Sequence, residues 1–471
     1  MAVAPSKTAV SEAARRSPIN YSRVSFVLFG LDVAGLVAAL NLAYLLRFQE
    51  WFPRLVTWQT AWISGVVLLS LYIFGAHDPR QRIEGTNSSV RAVSGTVVGG
   101  VLATLIVYLF GLWGSTPLLG RGILPVALLL FIPWAVAVRM LADRWVNRSE
   151  THLRWLVLGA GERASLFFRD FSQSRPVGEV YFLAETETER AECRAPNIIG
   201  LVENAVQLDL GRYSGILVAM QPPLSDALVQ RLMEVRFTGC KVYDLADFYE
   251  SQWYKVPILH LRSGWFVFSH GFDLLHNPIG LHFKRVIDLF SALLLTVVLA
   301  PILMVIAGAV RLDSEGPAVF RQRRKGENGR IFTMYKFRTM RRDECGNGSK
   351  WTTVDDIRIT RIGRILRRYR LDELPQLINI IRGDMSFIGP RPEALELSEV
   401  FEREIPFYDL RYVVKPGITG WAQVMYSYGS SVEDAREKLQ YDLYYIKNYS
   451  VLLDIAIVLK TLRVVILGRG R

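Results

Sequence analysis

The chain has 471 residues, of which 51% are hydrophobic and 21% are charged. This composition is too apolar for a disordered chain and unusual for a wholly soluble protein. Lysine and arginine total 56 against 44 acidic residues, a formal net charge of +12, which favours anionic partners such as phospholipids, nucleotides or nucleic acid. The cysteines, Cys193, Cys240 and Cys345, are too few and too far apart for a disulfide framework or a zinc site.

Four apolar segments near the start of the chain predict a four-helix transmembrane bundle. The first is long enough to cross about 30 Å of hydrocarbon and contains a single charge, Asp32. Arginines gather in the N-terminal tail, in the second loop and after the fourth span, so we expect these parts on the cytoplasmic side. The predicted spans are 24–46, 57–76, 92–113 and 122–142, within a tail over 1–23 and a membrane domain over 24–145.

Residues 150–275 have the composition of a soluble α/β domain. Strand-like segments, of which the first covers 154–158, alternate with helical ones and predict a parallel sheet in a Rossmann-like fold. Gly159 and Gly161 follow the first strand and would let a helix N-terminus meet a phosphate, while Glu185 stands where a ribose-binding acid would lie. This pattern is weak, so a structural or regulatory domain is the favoured interpretation over a nucleotide-binding one.

A fifth apolar segment covers 286–310. Pro301 in its second half removes a backbone donor and should kink a helix. Basic residues stand at both ends, with Lys284 and Arg285 at the first, and this favours a re-entrant helix over a crossing one. We expect Asp288 to pair with Lys284 or Arg285 one turn away. The residues alone leave a simple kinked span equally open.

The region 311–370 holds seventeen basic and seven acidic residues, Lys336 among the basic ones. Such a density is typical of binding to the phosphate groups of lipids or nucleotides. The usual RNA-binding modules are missing, and a domain tethered at a membrane is poorly placed for nucleic acid, so we expect no nucleic-acid partner.

Two adjacent carboxylates, Asp372 and Glu373, follow this basic region directly. Asp372 could simply cap a helix that begins at Glu373. Alternatively, an aspartate can attack phosphorus to form an acyl phosphate, while a neighbouring glutamate holds Mg²⁺. Arg391 lies between two prolines and Lys415 opens a loop rich in glycine and proline, so both are candidates for binding phosphate, although each loop could be a mere turn.

Seven motifs in order across 282–463 resemble the catalytic domain of the bacterial polyprenyl-phosphate hexose-1-phosphate transferases. These are the monotopic phosphoglycosyl transferases that initiate exopolysaccharide and glycoconjugate assembly. The four spans and the Rossmann-like middle are similar to the large, three-part form of this family. The motifs are KRxxD at 284–288, YKFRTM at 335–340, LDEL at 371–374, GDMS at 383–386, GPRP at 389–392, PGITGW at 416–421 and YYIKN at 444–448.

The resemblance implies an α-rich monotopic catalytic domain over 281–471 with a re-entrant helix over 283–310. It implies Asp372 as the nucleophile on the β-phosphate of a UDP-sugar, with release of UMP, and Glu373 as the Mg²⁺ ligand. Arg367 and Arg391 match phosphate-binding positions. The acceptor would be undecaprenyl phosphate, and the location the bacterial inner (cytoplasmic) membrane, among its phospholipids and with the soluble domains on the cytoplasmic side. The three-part relatives suggest a homodimer.

Two places depart from the family pattern. The helix break is Ala300-Pro301 where Ser-Pro is common, and 425–429 replaces a frequent Gly-Arg pair, so relatives do not predict the sugar.

Three other functions are alternatives to this one. A nucleotide-sugar dehydratase or epimerase would need a Tyr-x-x-x-Lys pair, and many glycosyltransferases use Asp-x-Asp; the sequence has neither. A non-catalytic, nucleotide-sensing membrane scaffold fits 150–275 better than the whole chain.

Overall fold

The computed structural model divides into two compact units, Met1–Leu245 and Ala246–Arg471. Most of the predicted tail, together with Cys193 and Cys345, lies outside the described residues. The structure describes residues 21–51, 57–78, 87–111, 122–150, 153–173, 178–192, 197–220, 223–261, 265–272, 278–341, 358–426, 429 and 431–467.

The first unit begins with four apolar helices at the four predicted spans. They are α1 Tyr21–Phe48, α2 Trp58–Ile73, α3 Ser88–Leu109 and α4 Ile123–Glu150. Helices α1, α3 and α4 are long and apolar enough to cross a membrane. Helix α2 has only 16 residues, fewer than the about 20 that a span usually takes.

The interior of this bundle is held by small residues and by one buried charge cluster. A side chain at Gly95 or Gly99 would meet the α2 backbone at 3.0 or 2.9 Å, so these glycines allow α2 and α3 to approach closely. Asp32, fully buried on α1, accepts two hydrogen bonds from Arg139 of α4, each 2.5 Å long, and is 2.8 Å from Nε2 of His77. The charge predicted inside the first span is therefore paired, as burial in an apolar bundle requires.

After the bundle, a five-stranded sheet follows, made of β1 Arg154–Leu158, β2 Glu179–Ala184, β3 Ile198–Leu201, β4 Gly215–Val218 and β5 Lys241–Asp244. All strands are parallel, as predicted, in the order β3-β2-β1-β4-β5. The apolar runs of β1 and β4 are almost entirely buried, which is typical of strands covered on both faces. The helices between the strands are α5 Glu162–Gln173, α6 Glu187–Glu192 and α7 Asp226–Phe237. The short strand β3 was not predicted.

The second unit contains one long apolar helix and a compact mixed α/β region. The antiparallel hairpin of β6 Val319–Lys325 and β7 Ile331–Phe337 carries Lys336. The parallel pair of β8 Ser386–Ile388 and β9 Gly417–Thr419 aligns the loops that follow both strands. The helices are α8 Leu245–Phe248, α9 Trp265–Phe268, α10 Pro278–Asp313, α11 Arg361–Arg368, α12 Leu377–Arg382, α13 Leu395–Glu404, α14 Trp421–Met425, α15 Val432–Lys447 and α16 Val451–Ile466. Helix α8 begins at the last residue of the first unit.

Helix α10 is continuous through Pro301, so the helix break predicted at Ala300-Pro301 is wrong. The helix is long and apolar enough to cross a membrane. The re-entry of α10 into the membrane stays a prediction. The pairing expected for Asp288 is wrong: its carboxylate accepts from the Phe387 N–H at 3.3 Å, while Lys284 pairs with Asp454 at 2.6 Å. Tertiary partners replace the helical neighbours because this part of α10 packs against the α/β region.

Candidate active site

The two adjacent carboxylates lie in a 3₁₀ segment, Leu371–Gln376, directly after α11. Leu371 and Leu374 belong to the apolar cluster that includes Ile306 and Val310 of α10, so the segment is anchored through its apolar side. Asp372 is not a helix cap, because it lies inside the segment and Arg370 occupies the position before it. Burying the two leucines therefore fixes where the two acids stand.

Glu373 is only 5% exposed and is surrounded by cations. Its Oε1 accepts from Arg391 Nη2 at 2.6 Å and from Lys336 Nζ at 3.3 Å, and its Oε2 is 3.6 Å from Arg370 Nη1. Burial alone would raise the pKa of Glu373, but Arg391, Lys336 and Arg370 outweigh it and hold the pKa well below its usual range. Glu373 is thus a fixed negative charge at the centre of the site.

Asp372 differs from its neighbour in having no hydrogen bond to its carboxylate from any residue that the structure describes. Burial and the charge of Glu373 raise the pKa of Asp372, against the opposing effect of Lys336, Arg391 and Arg367. A carboxylate that is poorly stabilised as an anion and not engaged by a donor is suited to act as a nucleophile. The two acids therefore differ in environment as their predicted roles differ.

Gln423 joins the cations around Glu373. Its Oε1 accepts from Arg370 Nη1 at 2.9 Å and from Arg391 Nη1 at 3.0 Å, and its Nε2 donates to the Ile418 carbonyl at 3.2 Å. Sequence reasoning did not select Arg370 or Gln423. The available signals were the position of Arg370 two residues before Asp372 and that of Gln423 two residues after the PGITGW motif. Arg370 also adopts a left-handed backbone, φ 54°, which is uncommon without glycine and clusters at functional sites.

Two other arginines, one buried and one half-buried, donate hydrogen bonds to the backbone at Arg391 and Pro392. Arg411 Nη2 donates to the Arg391 carbonyl at 2.8 Å and to Asp442 at 2.8 Å, while Arg324 donates to the Pro392 carbonyl at 3.0 Å. Together with the flanking prolines, these contacts fix the direction of the Arg391 side chain toward Glu373.

The other predicted phosphate-binding residues divide into two groups. Lys336 contacts Glu373, and burial lowers its pKa to about 8 despite that partner. Arg367 lies close enough to influence Asp372, and its Nε donates to Thr339 at 2.9 Å. Lys415 is not brought to the acids by any described contact; its ammonium lies beside Gly383 instead.

The predicted nucleotide turn of the first unit faces a carboxylate. Gly159 has a positive φ of 103°, as a tight turn requires. However, Glu189 Oε1 is 2.9 Å from where a Cβ would stand on Gly161, and Glu189 Oε2 accepts from the Glu185 N–H at 3.0 Å. Negative charge at this turn opposes the binding of a phosphate there.

The acids suit a magnesium ion that is shared with a substrate. Among the described residues no group of three or more histidines, cysteines or acids could hold a metal by itself. Glu373 Oε2 is nevertheless buried without a hydrogen bond, and Asp372 is adjacent. Because Mg²⁺ usually takes one or two carboxylates and completes its shell with substrate phosphates and water, these residues fit an ion bound jointly with a diphosphate.

Comparison with known proteins places this site in a family. Residues 279–468 match the family model described as bacterial sugar transferase. Over 184 residues the chain is 43% identical to the exopolysaccharide production protein PSS of Rhizobium leguminosarum bv. phaseoli, covering 38% of this chain and 92% of that protein. The chain belongs to the bacterial sugar transferase family. The resemblance stated from the sequence motifs is thereby confirmed.

Longer matches reach beyond the family region. This bacterial sugar transferase is 41% identical over 265 residues to the UDP-N-acetylgalactosamine-undecaprenyl-phosphate N-acetylgalactosaminephosphotransferase of Aeromonas hydrophila, covering 56% of this chain and 62% of that protein. It is 41% identical over 242 residues to the UDP-glucose:undecaprenyl-phosphate glucose-1-phosphate transferase of Xanthomonas campestris pv. campestris, covering 50% and 48%. The match thus spans about half to three-fifths of these relatives, whose named sugars differ.

Proposed function

We propose that this bacterial sugar transferase moves a sugar-1-phosphate from a UDP-sugar to undecaprenyl phosphate and releases UMP. The observation that carries the proposal is the unengaged carboxylate of Asp372 beside Glu373, which is clamped by three cations, within the region shared with the named relatives. Those relatives are undecaprenyl-phosphate sugar phosphotransferases by name. The sugar itself stays open because they name different ones.

The reaction takes two displacements at phosphorus. An Asp372 oxygen attacks the β-phosphorus, the bond from that phosphorus to the oxygen of the α-phosphate breaks, and UMP leaves with the electron pair. An oxygen of undecaprenyl phosphate then attacks the acyl phosphate, which frees the Asp372 carboxylate and forms the lipid diphosphate. One phosphoanhydride is broken and one is made, so the exchange needs no other energy source.

The residues around Asp372 stabilise the charge that moves during both steps. Arg391, Arg370 and Lys336 donate toward the same region, and they are already ordered by Glu373 and Gln423, so little reorganisation is needed when a diphosphate arrives. Glu373, with Asp372 beside it, would hold Mg²⁺, which when bound neutralises part of the diphosphate charge.

We also propose that α10 re-enters the membrane rather than crossing it. Near its start, Arg285 donates to the Ile380 carbonyl at 2.5 Å; near its end, the Val310 and Ser314 carbonyls accept from Arg338 at 3.4 and 2.6 Å. All of these partners belong to one compact α/β region, which cannot lie on both sides of a bilayer. Between the two ends, α10 exposes apolar side chains, for example Val297, which is 74% exposed. Lipid would cover this apolar surface.

The proposed re-entry would bring the acids to the level of the membrane where the two substrates can meet. Leu371 and Leu374 pack against the second half of α10, so Asp372 stands at the height of the lipid head groups. We infer that the bacterial inner membrane holds the protein, with both soluble parts on the cytoplasmic side, where nucleotide sugars are made. The parallel five-stranded sheet supports a Rossmann-like middle domain.

The proposal is tested with the purified full chain, undecaprenyl phosphate, Mg²⁺ and a panel of UDP-sugars. We expect UMP release with at least one sugar, and a fall of at least about a thousandfold for Asp372→Asn because the nucleophile is lost. Asp409→Asn, at an exposed acid of the same unit, is the matched control. A UDP-sugar labelled in its β-phosphate should label the wild type without acceptor but not Asp372→Asn.

Two results would contradict this assignment. Release of UDP instead of UMP would indicate a glycosyltransferase that makes a glycosidic bond. Wild-type turnover by a folded Asp372→Asn variant would remove Asp372 from the chemistry.

A further inference from the structure

Two cations converge beside Gly383, at the end of α12. Gly383 has a positive φ of 93°, and the position where its Cβ would stand is 3.4 Å from Arg285 Nη2 and 3.9 Å from Lys415 Nζ. The missing side chain therefore leaves a space that both cations border. The next residue toward the N-terminus, Arg382, is exposed and donates to the Tyr335 hydroxyl at 2.7 Å.

Within the part of the chain that the structure describes, this positive charge has no counter-ion. Arg285 donates only to the Ile380 and Ile381 carbonyls, at 2.5 and 2.9 Å, which offsets the partial negative charge at the end of α12. Lys415 forms neither a hydrogen bond nor an ion pair with a described residue. The adjoining acid, Asp384, accepts from Asn379 at 3.4 Å and forms no ion pair with either cation. Two like charges so close together favour an anion between them.

The space lies where the apolar part of α10 begins. Arg285 is followed directly by Val286 and Ile287, which are 64% and 46% exposed, and one turn later by Phe290, 68% exposed. These side chains need lipid, so Arg285 stands at the level of the head groups. No described contact joins Arg285 or Lys415 to Asp372 or Glu373, so these cations are separate from those around the acids.

We propose that Arg285, Lys415 and the space at Gly383 form a second phosphate-binding site, which takes the phosphate group of a membrane lipid. The three donors of the Lys415 ammonium and the remaining N–H groups of Arg285 supply charge-assisted hydrogen bonds to phosphate oxygens. The glycine allows the oxygens to approach the backbone. The site binds without reacting, so lipid binding there is tested apart from the proposed transfer, and only an assignment of the bound lipid as the acceptor rests on that transfer.

The experiment measures binding to the detergent-purified full chain with no nucleotide sugar present. Short-chain phosphatidylglycerol, undecaprenyl phosphate, inorganic phosphate and short-chain phosphatidylcholine are titrated separately, followed by the shift of the thermal midpoint. We compare the wild type with Lys415→Gln, with the charge-conserving Lys415→Arg, and with Arg330→Gln. Arg330 is an exposed arginine of the same unit and controls for the loss of one positive charge.

We expect at least one phosphate lipid to bind about tenfold more weakly to Lys415→Gln than to the wild type, while Arg330→Gln binds as the wild type does and Lys415→Arg recovers most of the affinity. Dependence on Lys415 for phosphatidylglycerol identifies a phospholipid head group, and dependence for undecaprenyl phosphate alone identifies the acceptor. The proposal is overturned if Lys415→Gln and Arg330→Gln bind every lipid equally, or if the effect of Lys415 appears only with inorganic phosphate.

Discussion

At the scale of single residues, the site is organised by one buried charge. Glu373 fixes Lys336, Arg370 and Arg391 at once, and Gln423 keeps the two arginines together. The cost of burying Glu373 is offset by these partners, and removing any one of them would leave charge without compensation. Because these cations donate to Glu373, none of them donates a hydrogen bond to the Asp372 carboxylate.

Asp442, the buried partner of Arg411, should make the stability of the protein depend on pH. Burial raises the pKa of Asp442 to about 6, although Arg411 opposes the shift. Because the folded protein holds this proton more tightly than the unfolded chain, whose aspartates titrate near 3.9, the contribution of Asp442 to stability falls as pH rises from about 4 to about 6. The fall amounts to about 3 kcal/mol at most.

We therefore expect the difference in thermal stability between the wild type and Asp442→Asn to change across this interval and to be constant above about pH 7. Thermal unfolding of both proteins at a series of pH values measures it. A difference that is flat from pH 4 to pH 7 would show that Asp442 does not titrate there.

At the scale of elements, the short pair β8–β9 determines how the two functional loops meet. The Gly389 N–H donates to the Thr419 carbonyl and the Gly417 N–H donates to the Pro390 carbonyl, both at 2.9 Å. A Cβ at Gly389 would stand 2.3 Å from the Lys415 carbonyl. Backbones packed this closely leave no room for a side chain, so the glycines of GPRP and PGITGW act together in setting the direction of Arg391.

Gly389→Ala should accordingly destabilise the protein by about 1–3 kcal/mol through overpacking and lower turnover, because Arg391 follows two residues later. Gly308→Ala is the matched control, since an added Cβ there has nothing within 4 Å and alanine is the better helix former. Thermal unfolding and UMP release measure both effects. Equal stability of the two variants would contradict the close approach of the loops.

The sequence predicted those parts of the elements that depend on local pattern. Apolar length predicted α1 to α4, and strand-like runs predicted β1, β2, β4 and β5. The four-residue β3 was missed because it is defined by its pairing with β2, and α2 is shorter than its predicted span. The proximity of Lys336 and Arg391 to Glu373 agrees with the motif-based interpretation. Arg370 and Gln423 were missed because their roles arise from contacts over long distances in the chain, and such contacts also took Asp288 away from its helical neighbours.

At the scale of the whole molecule, both ends of α10 belong to the same unit. The side of the membrane on which that unit lies depends on whether α10 re-enters the membrane or crosses it. In a cysteine-free background, single cysteines replace Glu404, exposed in the second unit, and Asp209, exposed in the first. If α10 re-enters, an impermeant thiol reagent added to spheroplasts should label neither position, and both should react after the membrane is opened. Labelling of Glu404→Cys alone in intact spheroplasts would mean that α10 crosses.

The contact between Asp32 and Arg139 has a consequence for how the bundle is made. The two residues belong to the first and the last of the four helices, so during synthesis the aspartate leaves the ribosome long before its arginine exists. An aspartate at the centre of an inserted helix costs about 2.5–3.5 kcal/mol. We therefore expect the first helix to move into lipid only after the fourth helix is present to pair with Asp32.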